Sequence, residues 1–175
     1  MREEVLDILK KNQIPLSELE IQKKLKEKID LDKLCEELRK LESTGDIYFT
    51  KKNKYTLYEY THLKVGRLSV NRNGYGFVIL NNEPDIHIRK ENMNGALHND
   101  LVAAEYISSD EGKIIKVIDR SLNTIIGEFA VGKDGNGYIT IDDQRIKMNI
   151  EIDDAHRNGA MPGHKVIVKP YTQID

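Results

Sequence analysis

The sequence predicts an α+β chain of three small units: a helical unit closed by a hairpin, then two small all-β barrels, the second lacking its last strand. Three observations predict it. Apolar residues recur at helical spacing only within the first 45 residues. From Lys64 onward, short strand-like runs alternate with turn residues. Finally, Asn-Gly-Ala-Leu-His-Asn-Asp-Leu-Val at 94–102 returns as Asn-Gly-Ala-Met-Pro-Gly-His-Lys-Val at 158–166, so the β pattern occurs twice. The implied units are residues 1–62, 63–122 and 123–175.

The helical unit opens with a stripe of Val5, Leu6, Ile8 and Leu9. Ile14-Pro15-Leu16 breaks it, and Ser17 or a neighbour can cap a second helix carrying Leu19, Ile21 and Leu25. Asp30 precedes a third helix with Leu31, Leu34, Leu38 and Leu41, and Gly45 ends it. Cys35 falls within that stripe and reads as a buried core thiol. Two strand-like runs follow, Asp46–Phe49 and Tyr55–Tyr58, joined by a tip holding Lys51, Lys52 and Lys54. Three helices and a basic-tipped hairpin resemble a winged helix-turn-helix. The outer residues of the third helix mix Asp32, Glu36, Glu37 and Glu42 with Lys33, Arg39 and Lys40, which does not favour direct base reading. The lysine tip can contact phosphate or simply be solvated.

The second unit has strands at Gly66–Val70, Tyr75–Leu80, Asp85–Ile88, Leu101–Ile107 and Gly112–Arg120, with a short polar element between the third and fourth. That is the order of an OB-fold barrel. Its most informative residues are Asn73-Gly74-Tyr75-Gly76-Phe77-Val78. Alternate side chains on a strand share a face, so Tyr75 and Phe77 point the same way. Paired exposed rings on a flat, glycine-lined face are what stacking on unpaired bases requires. A core face is the competing reading. Val78 and Leu80, with Leu68 and Val70, supply a buried face on the opposite side and favour exposed rings. Arg72, His87 and Arg89 are further candidates for contacts to a single strand.

The third unit repeats the pattern at Thr124–Val131, Gly137–Ile141, Lys147–Ile152 and His164–Pro170, with 153–163 as the connecting element. Tyr171–Asp175 is too short for a fifth strand. Of the aromatic motif only Tyr138 remains. Gly132–Asp143 nearly matches a calcium loop, but Gly132 and Asp143 occupy the positions that need Asp and a bidentate Glu, so the stretch reads as a hairpin turn.

Composition bounds the function. The 175 residues carry a net charge of −2, and the whole excess of acid falls in 123–175. Nucleic-acid binding must therefore come from local patches. The single cysteine excludes an internal disulfide, and the five histidines show no ligand spacing for zinc. No run of eighteen apolar residues and no signal-peptide core is present, so the expected compartment is the cytoplasm, with no membrane partner.

Gly66–Val78 and Asp85–Val102 resemble a first cold-shock domain, Glu111–Arg120 the strand that closes it, and Ile125-Ile126-Gly127-Glu128-Phe129 the opening of a second. With the winged helix ahead of them, this order resembles the N-terminal region of bacterial ribonuclease R across essentially the whole chain. The resemblance implies a 3′-to-5′ exoribonuclease whose catalytic domain uses clustered aspartates holding magnesium. Asp142-Asp143 and Asp153-Asp154 are adjacent pairs and form no such cluster, so no cofactor is expected in this chain, and the catalytic domain is expected to be absent from it. The resemblance implies single-stranded RNA as partner, with structured RNA at the winged helix. It departs at Ile86-His87-Ile88-Arg89, where His87 replaces an aromatic and Arg89 stands where a histidine is usual, and at Asn73, where a lysine is usual. Two readings compete with an RNA-feeding region: a stand-alone regulator of duplex nucleic acid, and a protein-interaction module.

Overall fold

The computed structural model describes residues 1–120, 125–145 and 150–168. Helices α1 (Arg2–Asn12), α2 (Glu18–Lys24) and α3 (Leu31–Ser43) precede a hairpin of β1 (Ile47–Phe49) and β2 (Tyr55–Leu57). Ser17 starts α2 through a capping box: its hydroxyl accepts from the Glu20 N–H, and the Glu20 carboxylate accepts from the Ser17 N–H. One core gathers Val5, Ile8 and Leu9 of α1, Ile21 of α2, Leu34, Leu38 and Leu41 of α3, and Ile47, Tyr55 and Leu57 of the hairpin. Two details differ from the sequence reading. Leu19 is 56% exposed, because a residue two positions from the inward Ile21 falls on the far side of a helix. Cys35 is only half-buried, at the edge of the α3 stripe. Burial and the neighbouring Glu18 carboxylate push its thiol pKa up, which disfavours the reactive thiolate.

The next five strands form a closed barrel: β3 (Lys64–Val70), β4 (Gly76–Ile79), β5 (Ile86–Ile88), β6 (Leu101–Tyr106) and β7 (Glu111–Asp119), in the order β3-β4-β5-β7-β6. All pairs are antiparallel except β5 with β7. Leu68, Val70, Val78, Leu80, Ile86, Ile88, Val102, Ala104 and Ile114 fill the interior. Gly66 permits a tight corner, since a Cβ there would sit 2.2 Å from the Ile79 carbonyl oxygen. Outside the barrel, Ala103 and Ile118 pack with Leu63 and Tyr58, and Tyr48, Val65 and Leu101 flank them. This seam joins the hairpin to the outer face of β3, β6 and β7.

A second sheet follows: β8 (Ile125–Val131), β9 (Gly137–Ile141), β10 (Ile150–Ile152) and β11 (Lys165–Val168), ordered β10-β9-β8-β11. Among the described residues, this is the barrel's order without a counterpart of β7. The sequence repeat is also a structural one. Asn94 and Asn158 share φ 50°, and the following Gly95 and Gly159 have φ of 74° and 76°. The Ala96 N–H donates to the Met93 carbonyl at 2.9 Å, and the Ala160 N–H donates to the Arg157 carbonyl at 2.9 Å. Left-handed turns favour those two residue types, which fits the recurrence of Asn-Gly at both places. Residues 132–136 form the β8–β9 turn, with the Asp134 carboxylate accepting from the Tyr138 hydroxyl at 2.7 Å. Thr124, 147–149 and 169–175, assigned to strand ends or to a missing strand from sequence, lie outside the described residues.

Candidate nucleic-acid interface

Strand β4 alternates strictly: Gly76 and Val78 are buried, Phe77 and Ile79 exposed. Tyr75 stands one residue before the strand and not within it. Its N–H donates to the Asn71 side-chain oxygen at 3.0 Å, and the Asn71 N–H donates to its carbonyl at 2.8 Å. The 71–74 turn thus fixes the backbone of Tyr75 and continues the alternation. Tyr75 and Phe77 are 41% and 40% exposed, while Leu68 and Val78 behind them are fully buried. The sequence alone left a core face open for these rings, and their exposure decides against it.

His87 lies opposite Phe77 in the β4–β5 pairing and contacts both rings. Its centroid is 5.9 Å from that of Tyr75, nearly parallel, and 5.2 Å from that of Phe77, tilted. The three rings form one continuous outer surface. Arg89 is near this face but already held: its Nε and Nη2 donate to Glu111 Oε1 at 3.2 and 2.9 Å. The same carboxylate is 3.9 Å from His87 Nδ1. The face therefore carries one anion, which the sequence did not reveal. Parallel pairing of β5 with β7 places Glu111 opposite His87, a neighbour 24 positions away in the chain.

Lys90 is the other residue missed from sequence. Its ammonium sits over the Tyr75 ring, 5.5 Å from the centroid. It reaches there because its stem packs on Gly74, whose φ of +86° closes the turn beneath it. Arg72 lies in that turn, exposed, beside a cleft that runs off the Tyr75 edge. The remaining candidates lie elsewhere. Lys51 and Lys52 are exposed at the hairpin tip, and Lys54 is half-buried, its ammonium 3.7 Å from Glu20. Tyr138 is on β9, half-buried, its hydroxyl committed to Asp134.

The acidic pairs have partners that do not suit a divalent cation. Asp142 pairs with Lys165, Asp143 with Arg145, Asp153 with His156 and Asp154 with Arg157. Among the described residues no cluster of three metal-ligating side chains occurs, and these pairs do not fit the magnesium that the family resemblance implies. Among the described residues, no helix is long and apolar enough to cross a membrane.

Comparison with known proteins agrees with this architecture. Residues 66–117 match the family model described as Ribonuclease B OB domain. Ribonuclease R of Escherichia coli (strain K12) is 30% identical over 176 residues, covering 96% of this chain and 22% of that protein. Ribonuclease R of Vibrio cholerae is 27% identical over 179 residues, again covering 96% of this chain and 22% of its own length. Among solved structures, RNase R of Mycoplasma genitalium, in its apo form and in complex with ribose-methylated single-stranded RNA, superposes with a TM-score of 0.52 at 19% identity, over 59% of this chain and 18% of that one. The chain spans about a fifth of the length of the curated relatives it matches. Its first barrel matches an OB-domain family model, and nearly the whole chain is similar to a segment of ribonuclease R.

Proposed function

We propose that the chain is an RNA-gripping region of a 3′-to-5′ exoribonuclease, which holds a single strand on the first barrel and guides it to a catalytic domain lying outside these residues. The observation that carries this reading is the outer barrel face on which the exposed rings of Tyr75 and Phe77 meet the half-buried ring of His87. Rings stack on any base, so such a face grips without reading sequence, as a processive enzyme requires. The RNA-bound state of the Mycoplasma genitalium relative supports the same ligand. In this proposal the helical unit is a winged helix whose tip, Lys51, Lys52 and Lys54, touches the phosphates of structured RNA. The second sheet is a cold-shock-like unit, in which the half-buried and tethered Tyr138 makes at most a minor contribution. Magnesium belongs to the catalytic domain, and the compartment is the cytoplasm.

Fluorescence anisotropy with an unstructured RNA, the same sequence as duplex, and single-stranded DNA tests the proposal. Salt-dependent binding that prefers the single-stranded RNA is expected. Preference for duplex would favour a regulator, and absence of salt-dependent binding would favour a protein-interaction module.

A further inference from the structure

Beside Tyr75 the surface opens into a cleft of about 960 Å³. Arg72, Lys90 and Arg120 of the first barrel unit line it together with Arg145, which comes from the turn after β9 in the second sheet. Among the described residues lining it, none is acidic, in a chain whose net charge is −2. Its apolar floor includes Met93 and Leu97. The four cations are not equivalent. Arg120 is largely buried, 3.7 Å from Asp100, and its Nη2 donates to the Gly95 carbonyl at 3.3 Å, so it holds the floor in place. Arg72 and Lys90 have no carboxylate partner among the described residues. Arg145 is held by Asp143 through Nε at 3.0 Å and Nη2 at 2.8 Å, with its side chain still half exposed.

Resting on the proposed RNA-binding role, the geometry points to a composite nucleotide subsite: a strand leaving the rings at Tyr75 turns into this cleft, its phosphates between Arg72 and Lys90 on one side and Arg145 on the other, with a base against Met93 and Leu97. The second sheet then contributes a cation to the first barrel's ligand, and not an aromatic platform of its own. Lys90 serves both surfaces, since it lies over the Tyr75 ring and lines the cleft. Single strands suit such a path because they bend sharply at low cost and present base and phosphate separately. Asp143 is a built-in competitor for the Arg145 guanidinium, so the subsite is weaker than its cation count suggests.

A charge series at Arg145 tests the inference on the whole chain, using labelled oligouridine and thermal melting as a folding control. Arg145→Ala is expected to weaken binding roughly 3- to 10-fold and to lower the slope of log K against log salt by about 0.7, the value for one phosphate on a single strand. Arg145→Glu should weaken it further, and Arg145→Lys should restore most of it. Asp143→Asn, which frees the guanidinium, should tighten binding; a purely structural role for the pair predicts weaker binding instead. If Arg145→Ala and Arg145→Glu bind as the parent does while Phe77→Ala does not, the composite subsite is wrong and the ring surface stands alone. If the parent itself shows no salt-dependent binding, the proposed function falls and this inference with it.

Discussion

Phe77→Ala separates a gripping ring from a structural one. Phe77 is 40% exposed and meets His87 at 5.2 Å between centroids. Its loss removes one outer-face aromatic contact, worth about 0.5–1.5 kcal/mol of stability. The interior behind it, Leu68 and Val78, stays intact. Leu68→Ala on the opposite side opens a cavity in that interior and costs about 2–5 kcal/mol. For binding the order reverses. A stacking ring is worth about 1–3 kcal/mol per base, or roughly 5- to 150-fold in Kd. Anisotropy with an unstructured RNA, beside thermal melting, reads both quantities. Phe77→Ala should melt within a few degrees of the parent and bind far more weakly, whereas Leu68→Ala should melt much lower. His87→Ala extends the test, because His87 touches both Tyr75 and Phe77. In a double-mutant cycle Phe77 and His87 should couple by about 0.5–1.5 kcal/mol. If Phe77→Ala melts as low as Leu68→Ala, the ring is structural. If it folds and binds like the parent, the aromatic face is not where RNA is held.

Replacing Lys51, Lys52 and Lys54 together by Ser should lower affinity for every structured RNA alike and flatten its salt dependence, with Lys54 contributing least because Glu20 already offsets its charge; unchanged affinity at low salt would assign the tip to solubility. His98 is buried and accepts from the Val70 N–H through Nδ1 at 3.0 Å, and burial holds its pKa below the ordinary 6.5. The unfolded chain therefore takes up that proton first, so the stability His98 contributes is present above about pH 6.5 and declines as pH falls below it. Melting from about pH 7.5 to 5 should show this step, and His98→Phe should lose the step while being less stable throughout. Hydrogen bonds from Arg145 lower the pKa of Asp143 to about 2. Its contribution is present above its ordinary 3.8 and lost as pH falls through 2, and a carboxyl resonance followed by NMR should show that midpoint, returning towards 3.8 in Arg145→Ala. The purified chain should not degrade labelled RNA with magnesium or manganese; cleavage that survives repurification would place a catalytic centre in it.

What could be read in advance was whatever local periodicity controls. The alternation Gly76-Phe77-Val78 forces Phe77 outward once Val78 is inside, so the ring surface follows from a few consecutive residues. The Asn-Gly pairs at 94–95 and 158–159 suit left-handed backbone and recur in the same local pattern, so the duplication of the β unit was visible too. Lys90 and Glu111 were not visible, because each arrives through a tertiary event: a lysine stem packing on Gly74, and a parallel pairing that skips 23 intervening residues. Leu19 misled because a seven-residue helix is too short for its stripe to be fixed by periodicity alone. Cys35 misled because it sits at the margin of the α3 stripe, where one helical step separates interior from rim.

The seam of Tyr48, Tyr58 and Leu63 against Ala103 and Ile118 has a mechanical consequence. It is closely packed, and its smallest member, Ala103, is completely covered. A joint of that kind acts as a weld and not as a hinge. Force applied to the hairpin passes straight into β6 and β7 without being absorbed by the short connection at 60–63. The lysine tip and the three-ring surface are thereby set at one angle and one separation, like the two jaws of a fixed gauge. Ala103→Glu would place a charge in the joint and turn the gauge into two loosely tethered pieces.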